Sequence, residues 1–214
     1  MGDDLAGEDR WRRYYDAVAG RPPRDTLVGA LTAIEAEGGP PDGAVALDLG
    51  AGDGRDTVEL LQRGYRVLAI DVEPDAFVRL RARPDLVHPE RLQMVVARFE
   101  DVELPRATLI NASFSLPFCP PERFAGLWAK IVASLAPGGR FAGQLLGKRD
   151  GWAAREGITS FDRAAARALL EGLAVERFDE EEVDSATATG HPKHWHLFHV
   201  IAQKPRSVVT RLRT

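Results

Sequence analysis

The feature that most constrains this chain is a glycine-rich turn between a short apolar run and a helical stretch. The segment reads Leu47-Asp48-Leu49-Gly50-Ala51-Gly52-Asp53-Gly54-Arg55-Asp56. An apolar run of this length suits a strand that is buried on both faces of a parallel sheet. Glycines directly after such a strand let the backbone turn sharply and let a ligand approach it closely. The segment therefore predicts a strand, a ligand-binding loop and a helix of an α/β fold.

Short apolar runs alternate with helical patterns along the rest of the chain. Strands are predicted at 44–49, 66–71, 92–97, 107–112, 140–146, 175–183 and 195–203. Helices are predicted in an N-terminal region that contains Leu27, Leu31 and Ile34, and at 56–62, 74–81, 121–135 and 162–171, with Pro137-Gly138-Gly139 stopping the helix at 121–135. No helix separates the last two strands, so they are expected to pair as an antiparallel hairpin. The pattern predicts a Rossmann-like, seven-stranded, mostly parallel sheet with an antiparallel last strand and helices on both faces.

The length and composition indicate one soluble globular domain. The chain has 214 residues, of which 44% are hydrophobic and 28% are charged. We expect a single domain over 1–205, made of an N-terminal helical cap at 1–40, a cofactor-binding core at 44–150, and a last helix and β-hairpin at 151–205. The tail at 206–214 carries three arginines and few core candidates, and it is predicted to be mobile.

Charge and cysteine content exclude several classes of protein. The net charge of −4 argues against a broad nucleic-acid surface. No apolar run approaches the roughly 18 residues of a membrane span, and the acidic N-terminus does not read as a signal peptide. The single cysteine, Cys119, excludes an intrachain disulfide and a multi-cysteine zinc site. We therefore predict a cytoplasmic protein without nucleic-acid or membrane partners.

The spacing of the glycine loop distinguishes between nucleotide-binding motifs. A dinucleotide loop reads Gly-x-Gly-x-x-Gly, and its sixth position is Arg55 in this chain. The bulk of arginine would oppose close packing of helix on strand, which counts against NAD or FAD. No Gly-Lys-Ser/Thr follows the loop, so it is not a phosphate loop either.

The residues that follow the other predicted strands extend this pattern. Asp71 ends the second strand, and Arg98-Phe99-Glu100-Asp101 follows the third. Asn111-Ala112-Ser113-Phe114-Ser115-Leu116-Pro117-Phe118 follows the fourth, and Leu135-Ala136-Pro137-Gly138-Gly139 precedes the fifth. Together with the acidic residue and the Gly-x-Gly-x-Gly at 48–54, this order resembles the class I S-adenosylmethionine-dependent methyltransferases. The run at 52–57 resembles the tellurite-resistance-type small-molecule branch of that family.

This resemblance implies S-adenosylmethionine as the cofactor and S-adenosylhomocysteine as its product. In such folds the acid at the second strand end accepts hydrogen bonds from both ribose hydroxyls, a role that falls here to Asp71. Many relatives carry Asp where this chain has Arg98, so the contact to the adenine amino group is assigned to Glu100. The implied cofactor-binding residues are Asp48, Gly50, Ala51, Gly52, Gly54, Arg55, Asp71, Val72, Phe99, Glu100, Asn111 and Ala112.

The implied reaction is methyl transfer to an acceptor by in-line displacement at the methyl carbon, with catalysis coming mainly from alignment. The acceptor is expected to be a small molecule, because the chain leaves little room for a large substrate domain and has no excess of basic residues. A non-catalytic module that binds S-adenosylmethionine or S-adenosylhomocysteine would keep the same motifs, so the sequence alone does not separate the two.

Aromatic residues mark the expected acceptor side. Trp11, Tyr14 and Tyr15 lie in a helical stretch, and Trp11 and Tyr15 can share a face because they are four residues apart. That face either packs on the domain or forms a lid over the cofactor. The residues predicted to bind the acceptor are Trp11, Tyr15, Phe114 and Trp152.

Four histidines lie close together near the C-terminus: His191, His194, His196 and His199. On a strand, His194 and His196 share one face and His199 points to the other. No acidic or thiol ligand stands among them, and no metal site is predicted. A structural role and a role at the acceptor both remain open. A general base is needed only if the acceptor must lose a proton, and His194, His196 and Tyr14 are the catalytic candidates.

Overall fold

The computed structural model of the chain describes residues 8–206, so the predictions for the acidic N-terminus and for 207–214 lie outside the described residues. The helices are α1 Glu8–Val18, α2 Asp25–Ala36, α3 Arg55–Gln62, α4 Pro74–Arg81, α5 Pro121–Ser134 and α6 Arg163–Ala168. The strands are β1 Val45–Leu49, β2 Arg66–Asp71, β3 Leu92–Val96, β4 Ala107–Ala112, β5 Leu135–Leu146, β6 Ala174–Ala186 and β7 Pro192–Gln203. None of the helices within 8–206 has the length and apolar character that crossing a bilayer requires.

The strands form one seven-stranded sheet in the order β3-β2-β1-β4-β5-β7-β6. Strands β1 to β5 pair in parallel, and β7 runs antiparallel to both β5 and β6. The predicted fold class is confirmed, including the terminal hairpin. The strand order reverses between β1 and β4, and ligands of open α/β sheets bind at the carboxyl ends of the strands at such a point.

Two apolar layers cover the faces of the sheet. On one face α2, α3 and α4 contribute a layer that includes Leu27, Leu31 and Ile34, all buried as the helical spacing predicts. On the other face α5 contributes Phe124 and Trp128. Strand β1 is buried on both sides, since Ala46 belongs to the first layer and Leu47 and Leu49 to the second. The short apolar run before the glycine loop is therefore a central strand.

The predicted boundary between α5 and β5 is wrong. Helix α5 ends at Ser134, and Pro137-Gly138-Gly139 lies inside β5 and does not stop the helix. The strand begins early because Leu135 already pairs with Ala107, after which the register shifts. Gly138 donates its N–H to the carbonyl of Lys204 (2.7 Å), which ties this irregular start to the chain after β7.

The C-terminal elements differ from prediction only at their ends. Helix α6 stops at Ala168, three residues before the predicted end, while Asp162 caps its start by accepting from the Ala165 amide at 2.8 Å. Strand β7 begins at Pro192, three residues earlier than predicted, because its ladder with β6 continues to the Ala186–Pro192 pair.

Candidate active site

The three loop glycines all have left-handed backbones, with φ of 74° at Gly50, 56° at Gly52 and 82° at Gly54. Side chains rarely adopt this region, and glycine adopts it without strain. A Cβ at Gly50 would lie 2.4 Å from the Ser115 Cβ, and one at Gly54 would lie 2.2 Å from the Leu80 Cδ1. These two glycines therefore allow tight packing inside the protein. At Gly52 the nearest atom to a Cβ is on the Tyr15 ring of α1, at 3.3 Å, so this glycine lies directly against that helix.

Asp71 joins the end of β2 to the glycine loop. Its Oδ2 accepts from the Gly52 amide at 2.8 Å, and its Oδ1 accepts from the Glu73 amide at 2.9 Å. The side chain is buried, and this burial raises the pKa of its carboxyl above the usual value. Each carboxylate oxygen has a second lone pair, so Asp71 retains acceptor capacity beside the loop. Val72 follows it and is half exposed.

A buried polar network lies beneath the loop. Asp48 Oδ1 accepts from Asn111 Nδ2 at 2.9 Å, and its Oδ2 accepts from the Thr57 hydroxyl at 2.6 Å. The same Asn111 amide donates to Asp56 Oδ2 at 3.0 Å. Burial, followed by the nearby Asp56 carboxylate, raises the pKa of Asp48. The network ties the ends of β1 and β4 to α3, so Asp48 and Asn111 hold the loop from below.

The predicted adenine side consists of a turn after β3. Phe99 and Glu100 are both buried there. Glu100 Oε1 lies 3.3 Å from Arg98 Nη1 and 3.6 Å from Arg123 Nη1. The contact of Glu100 with adenine stays a prediction, and the structure adds that two arginines already engage its carboxylate.

The loop after β4 contains a strained residue. Phe114 has a φ of 57°, which for a side chain of this size costs about 1–2 kcal/mol. Its amide donates to Gln144 Oε1 at 3.0 Å, and Gln144 Nε2 donates to the Thr26 hydroxyl at 2.9 Å. Gln144 and Thr26 are fully buried, so β5 and α2 hold the strained backbone in place. Strained residues that are held in this way cluster at functional sites. The sequence pointed to Phe114 but not to its two supports.

Five rings next to this loop form what we call the aromatic cluster: Trp11, Phe114, Phe118, Trp152 and Trp195. Ring centroids lie 5.5 Å apart for Trp11–Phe118, 6.4 Å for Phe118–Trp152, 5.8 Å for Trp152–Trp195 and 6.3 Å for Trp195–Phe114. The structure thus brings three predicted acceptor residues into one cluster. Trp195 and Phe118 complete it.

A buried ion pair supports two rings of the cluster. Lys193 Nζ lies 2.7 Å from Asp150 Oδ2, and it sits 3.4 Å from the Trp195 centroid and 4.3 Å from the Trp152 centroid. Asp150 Oδ1 also accepts from the Trp152 amide at 2.9 Å. Burial lowers the pKa of Lys193, while the Asp150 carboxylate opposes this effect. Neither residue is predicted from the sequence, because nothing local links positions 150 and 193.

Helix α1 covers the glycine loop. Trp11 and Tyr15 share a face as predicted, with centroids 6.2 Å apart, and Tyr14 packs edge-on against Trp11 at 5.9 Å. Tyr15 is buried, and its ring is the one that faces Gly52. Burial, followed by the Asp71 carboxylate, raises the pKa of Tyr15. The helix therefore packs on the loop and reaches the aromatic cluster, an arrangement that both the packing interpretation and the lid interpretation allow.

His194 and His196 contact acidic residues of β6. His196 Nε2 lies 2.8 Å from Glu180 Oε1, and its Nδ1 accepts from the Arg149 amide at 3.1 Å. His194 lies 2.7 Å from Asp184 and 3.1 Å from Glu182, contacts that raise its pKa. Both histidines share a face as predicted.

That face is the one opposite to Trp195 and Lys193, because side chains alternate along β7. The histidine side chains therefore point away from the aromatic cluster. His199, on the cluster-side face, lies 2.7 Å from Glu181 Oε2. Among residues 11–206, whose side chains the structure describes, no three His, Cys, Asp or Glu side chains form a group that would hold a metal ion.

Comparison with known proteins agrees with this geometry. Residues 46–139 match the family described as methyltransferase domain. A carboxy-S-adenosyl-L-methionine synthase from Citrifermentans bemidjiense is 31% identical over 119 residues, which is 52% of this chain and 47% of that protein. The chain thus matches less than half the length of such curated relatives.

Two solved structures share the fold over most of the chain. TehB from Haemophilus influenzae superimposes with a TM-score of 0.71 at 14% identity, covering 89% of this chain and 65% of that one. A Burkholderia thailandensis 1,6-didemethyltoxoflavin-N1-methyltransferase superimposes with a TM-score of 0.60 at 25% identity, covering 96% and 93%. Residues 46–139 therefore resemble a methyltransferase domain, and the chain shares its fold with these two solved structures.

Proposed function

We propose that this protein binds S-adenosylmethionine across the glycine loop and transfers the methyl group to a planar small molecule held by the aromatic cluster. The observation that carries this proposal is the meeting of the loop, the Asp71 carboxylate and the cluster at the carboxyl edge of the sheet. That edge is where open α/β sheets bind ligands. The division into a helical cap, a cofactor core and a C-terminal hairpin belongs to the same proposal.

The residues present fit the cofactor. Gly52 has no side chain that would block its backbone, and the Asp71 carboxylate beside it keeps acceptor capacity for a hydroxyl donor. The rings of the cluster offer faces that favour a cation such as a sulfonium. When bound, S-adenosylmethionine supplies a methyl group that is open to in-line displacement. Phe114, held in its strained conformation, would fix the part of the aromatic cluster that lies next to this methyl group.

The aromatic cluster supports a planar acceptor. Rings pair with other rings in offset or edge-on geometry at separations such as those found here. The Burkholderia relative is named for methylating 1,6-didemethyltoxoflavin, and its structure contains that compound and S-adenosylhomocysteine. The curated relatives are named as carboxy-S-adenosyl-L-methionine synthases. Both kinds of relative therefore favour a small molecule over a macromolecule.

Alignment of the acceptor is the main catalytic contribution in this proposal. Of the three candidate bases, Tyr14 contacts a ring of the cluster, whereas His194 and His196 contact carboxylates on the opposite face. Tyr14 is therefore the candidate best placed to take part if the acceptor must lose a proton.

Calorimetry with S-adenosylhomocysteine, followed by transfer of radiolabelled methyl groups to a panel of planar aromatic compounds, tests the proposal. We expect binding of the product and labelling of at least one compound. Replacement of Trp152 by Ala should raise the KM of that compound about tenfold and leave product binding within twofold, since one ring stack contributes about 1 kcal/mol beyond burial. Val175→Ala, at an exposed position of β6, is the matched control.

Two outcomes would contradict the proposal. If the folded protein does not bind S-adenosylhomocysteine, the cofactor assignment is wrong. If it binds the product but labels no compound, the non-catalytic binding module is the better description.

A further inference from the structure

Two cations lie against the ring of Trp152, which is one of the five rings of the aromatic cluster. Lys193 Nζ is 4.3 Å from the ring centroid, and the guanidinium carbon of Arg155 is 5.2 Å from it. Burial lowers the pKa of Lys193, the Asp150 carboxylate opposes this effect, and the charge of Arg155 lowers the pKa further. The two positive charges are therefore close enough to act on each other at this end of the cluster.

Lys193 is neutralised inside the protein. Its side chain is 3% exposed, and its ammonium lies 2.7 Å from Asp150 Oδ2. The Asp150 carboxylate is fully buried, and it also accepts from the amides of Trp152 and His196. Both of its oxygens are thus engaged by Lys193 and by the backbone, and the two side chains form a closed ion pair.

Arg155 differs from Lys193 in this respect. Its Nη1 is buried without a hydrogen-bond partner, and among residues 11–206 no carboxylate lies within ion-pair distance of its guanidinium. A buried guanidinium donor that has no acceptor is unfavourable. Because Asp150 is committed to Lys193, the charge of Arg155 is the one that is left over at the Trp152 ring. An anionic group on a ligand would supply the missing acceptor.

The backbone holds Arg155 at the edge of the aromatic cluster. It lies in the connection between β5 and α6, between Trp152 and Ile158, which both pack against Leu146 and Leu197. The Arg155 amide donates to the Trp152 carbonyl at 2.9 Å, and the Ile158 amide donates to the Arg155 carbonyl at 3.3 Å. The chain is therefore anchored on both sides of Arg155, and the guanidinium is presented beside the ring.

We propose that Arg155 forms an anion-binding subsite at the Trp152 end of the aromatic cluster, and that the methyl acceptor is a planar molecule that carries a carboxylate. This inference rests on the function proposed above and narrows its class of substrate. The planar fork of a guanidinium matches a carboxylate in shape and charge. The same excess of positive charge disfavours a cationic acceptor, because like charges brought together on binding are repulsive.

Benzoate and benzamide test the subsite, because they share a planar shape and differ in charge. Each is titrated in a calorimeter into protein that is saturated with S-adenosylhomocysteine. Wild type should bind benzoate about tenfold or more tightly than benzamide, since hydrogen bonds between charged groups are the strong ones. Arg155→Gln should bind the two compounds with affinities within about twofold of each other, and Arg155→Lys, which keeps the charge, should retain part of the preference.

Arg163→Gln is the matched control. This exposed arginine also lies over a ring, 5.3 Å from the Phe178 centroid, but it pairs with Glu180. The variant should keep the full preference for benzoate. Affinity for S-adenosylhomocysteine should stay within about twofold of wild type in all three variants, which shows that each of them is folded.

Equal affinity of wild type for benzoate and benzamide, or binding of neither, would overturn the subsite. A preference for benzoate that persists in Arg155→Gln would overturn it as well, because the charge would then come from another residue. Loss of the preference in Arg163→Gln would point to the overall charge of the protein and would also contradict the proposal. Failure of wild type to bind S-adenosylhomocysteine would instead refute the proposed function, so the two failures are distinguishable.

Discussion

The centre of the sheet and its β6 edge use polar residues in opposite ways. At the carboxyl ends of β1, β2 and β4, a few buried side chains such as Asp48 and Asn111 each have defined short-range partners. At the β6 edge, long exposed side chains pair with one another, as Arg149 does with Glu180 and Glu182. Exposed pairs of this kind contribute about 0–1 kcal/mol each, and charge on an edge strand discourages pairing with other chains. The buried contacts of the first region hold the glycine loop in place, whereas the charges of the second region protect the edge of the sheet.

Of the variants that test this comparison, Gly52→Val should have the largest effect. Valine at a φ of 56° is strained, and its side chain would occupy the space between the loop and α1. We expect no detectable binding of S-adenosylhomocysteine in calorimetry. The strain of about 1–2 kcal/mol should lower the Tm by only a few degrees.

Gly43→Val is the control for Gly52→Val. Gly43 has a φ of 71° with no atom within 4 Å of a Cβ, so it carries similar strain outside the site. The Tm of Gly43→Val should fall by a similar number of degrees, and the variant should keep its affinity for S-adenosylhomocysteine. Wild-type affinity in Gly52→Val would show that the loop is only a turn.

Asp71→Ala should have the next largest effect. It removes a charged acceptor beside the loop and the partner of the Gly52 amide. Bonds to a charged acceptor contribute about 1.5–3 kcal/mol, so the affinity for S-adenosylhomocysteine should fall about 10- to 100-fold. Asp75→Ala, an exposed acid on α4, should leave the affinity unchanged. Equal affinity of both variants for S-adenosylhomocysteine would show that Asp71 does not contribute to the cofactor site.

The sequence predicts much of the first region because its contacts arise from neighbouring strand ends. Parallel strands bring their carboxyl ends to one edge, so Asp71 and the loop at Gly52 had to lie close together. Glycine spacing and strand order are both local patterns. The fold class followed from the same alternation of short apolar runs and helices.

What the sequence could not provide is contact between distant positions. Gln144 and Thr26, which hold the strained Phe114, are 118 positions apart. Alternation along a strand correctly places His194 and His196 on one face, but it does not say which face meets the ligand edge. That choice depends on the register of β7 against β5 and β6.

His196→Gln tests whether the hairpin histidines serve structure or chemistry. His196 is buried, and its ring lies over Gly147, where a Cβ would come within 2.1 Å of Nδ1. Losing this packing and the bond from the Arg149 amide should cost about 1–3 kcal/mol, which corresponds to a Tm several degrees lower. Affinity for S-adenosylhomocysteine and turnover of the folded protein should stay within twofold.

His191→Gln, in the exposed turn of the same hairpin, should leave the Tm unchanged. A base role makes a different prediction for His194 and His196. The wild-type rate would then rise with pH through the histidine range, and the double Gln variant would lose that rise while remaining stable.

Asp48 beneath the loop and His194 at the β6 edge are a buried and an exposed titrating group, and both have a raised pKa. Burial and the Asp56 carboxylate raise the pKa of Asp48 from 3.8 to about 7. The folded state therefore binds a proton that the unfolded state has released, and stability must fall as the pH rises from about 4 through 7. In Asp48→Asn the amide keeps both contacts, because its oxygen accepts from Asn111 and its nitrogen donates to Thr57 Oγ1. Between pH 5 and pH 8, the free energy of unfolding should fall by about 1–3 kcal/mol less in this variant than in wild type, measured by urea denaturation.

The exposed His194 also has a raised pKa, so its contribution to stability is present at low pH and is lost as the pH rises above the ordinary pKa of histidine. Solvent screens its pairs with Asp184 and Glu182, and His194→Gln should therefore change the same pH dependence far less than Asp48→Asn does. Parallel pH profiles for Asp48→Asn and wild type would show that the Asp48 carboxyl is not protonated at neutral pH, and that the network beneath the loop accommodates its full charge.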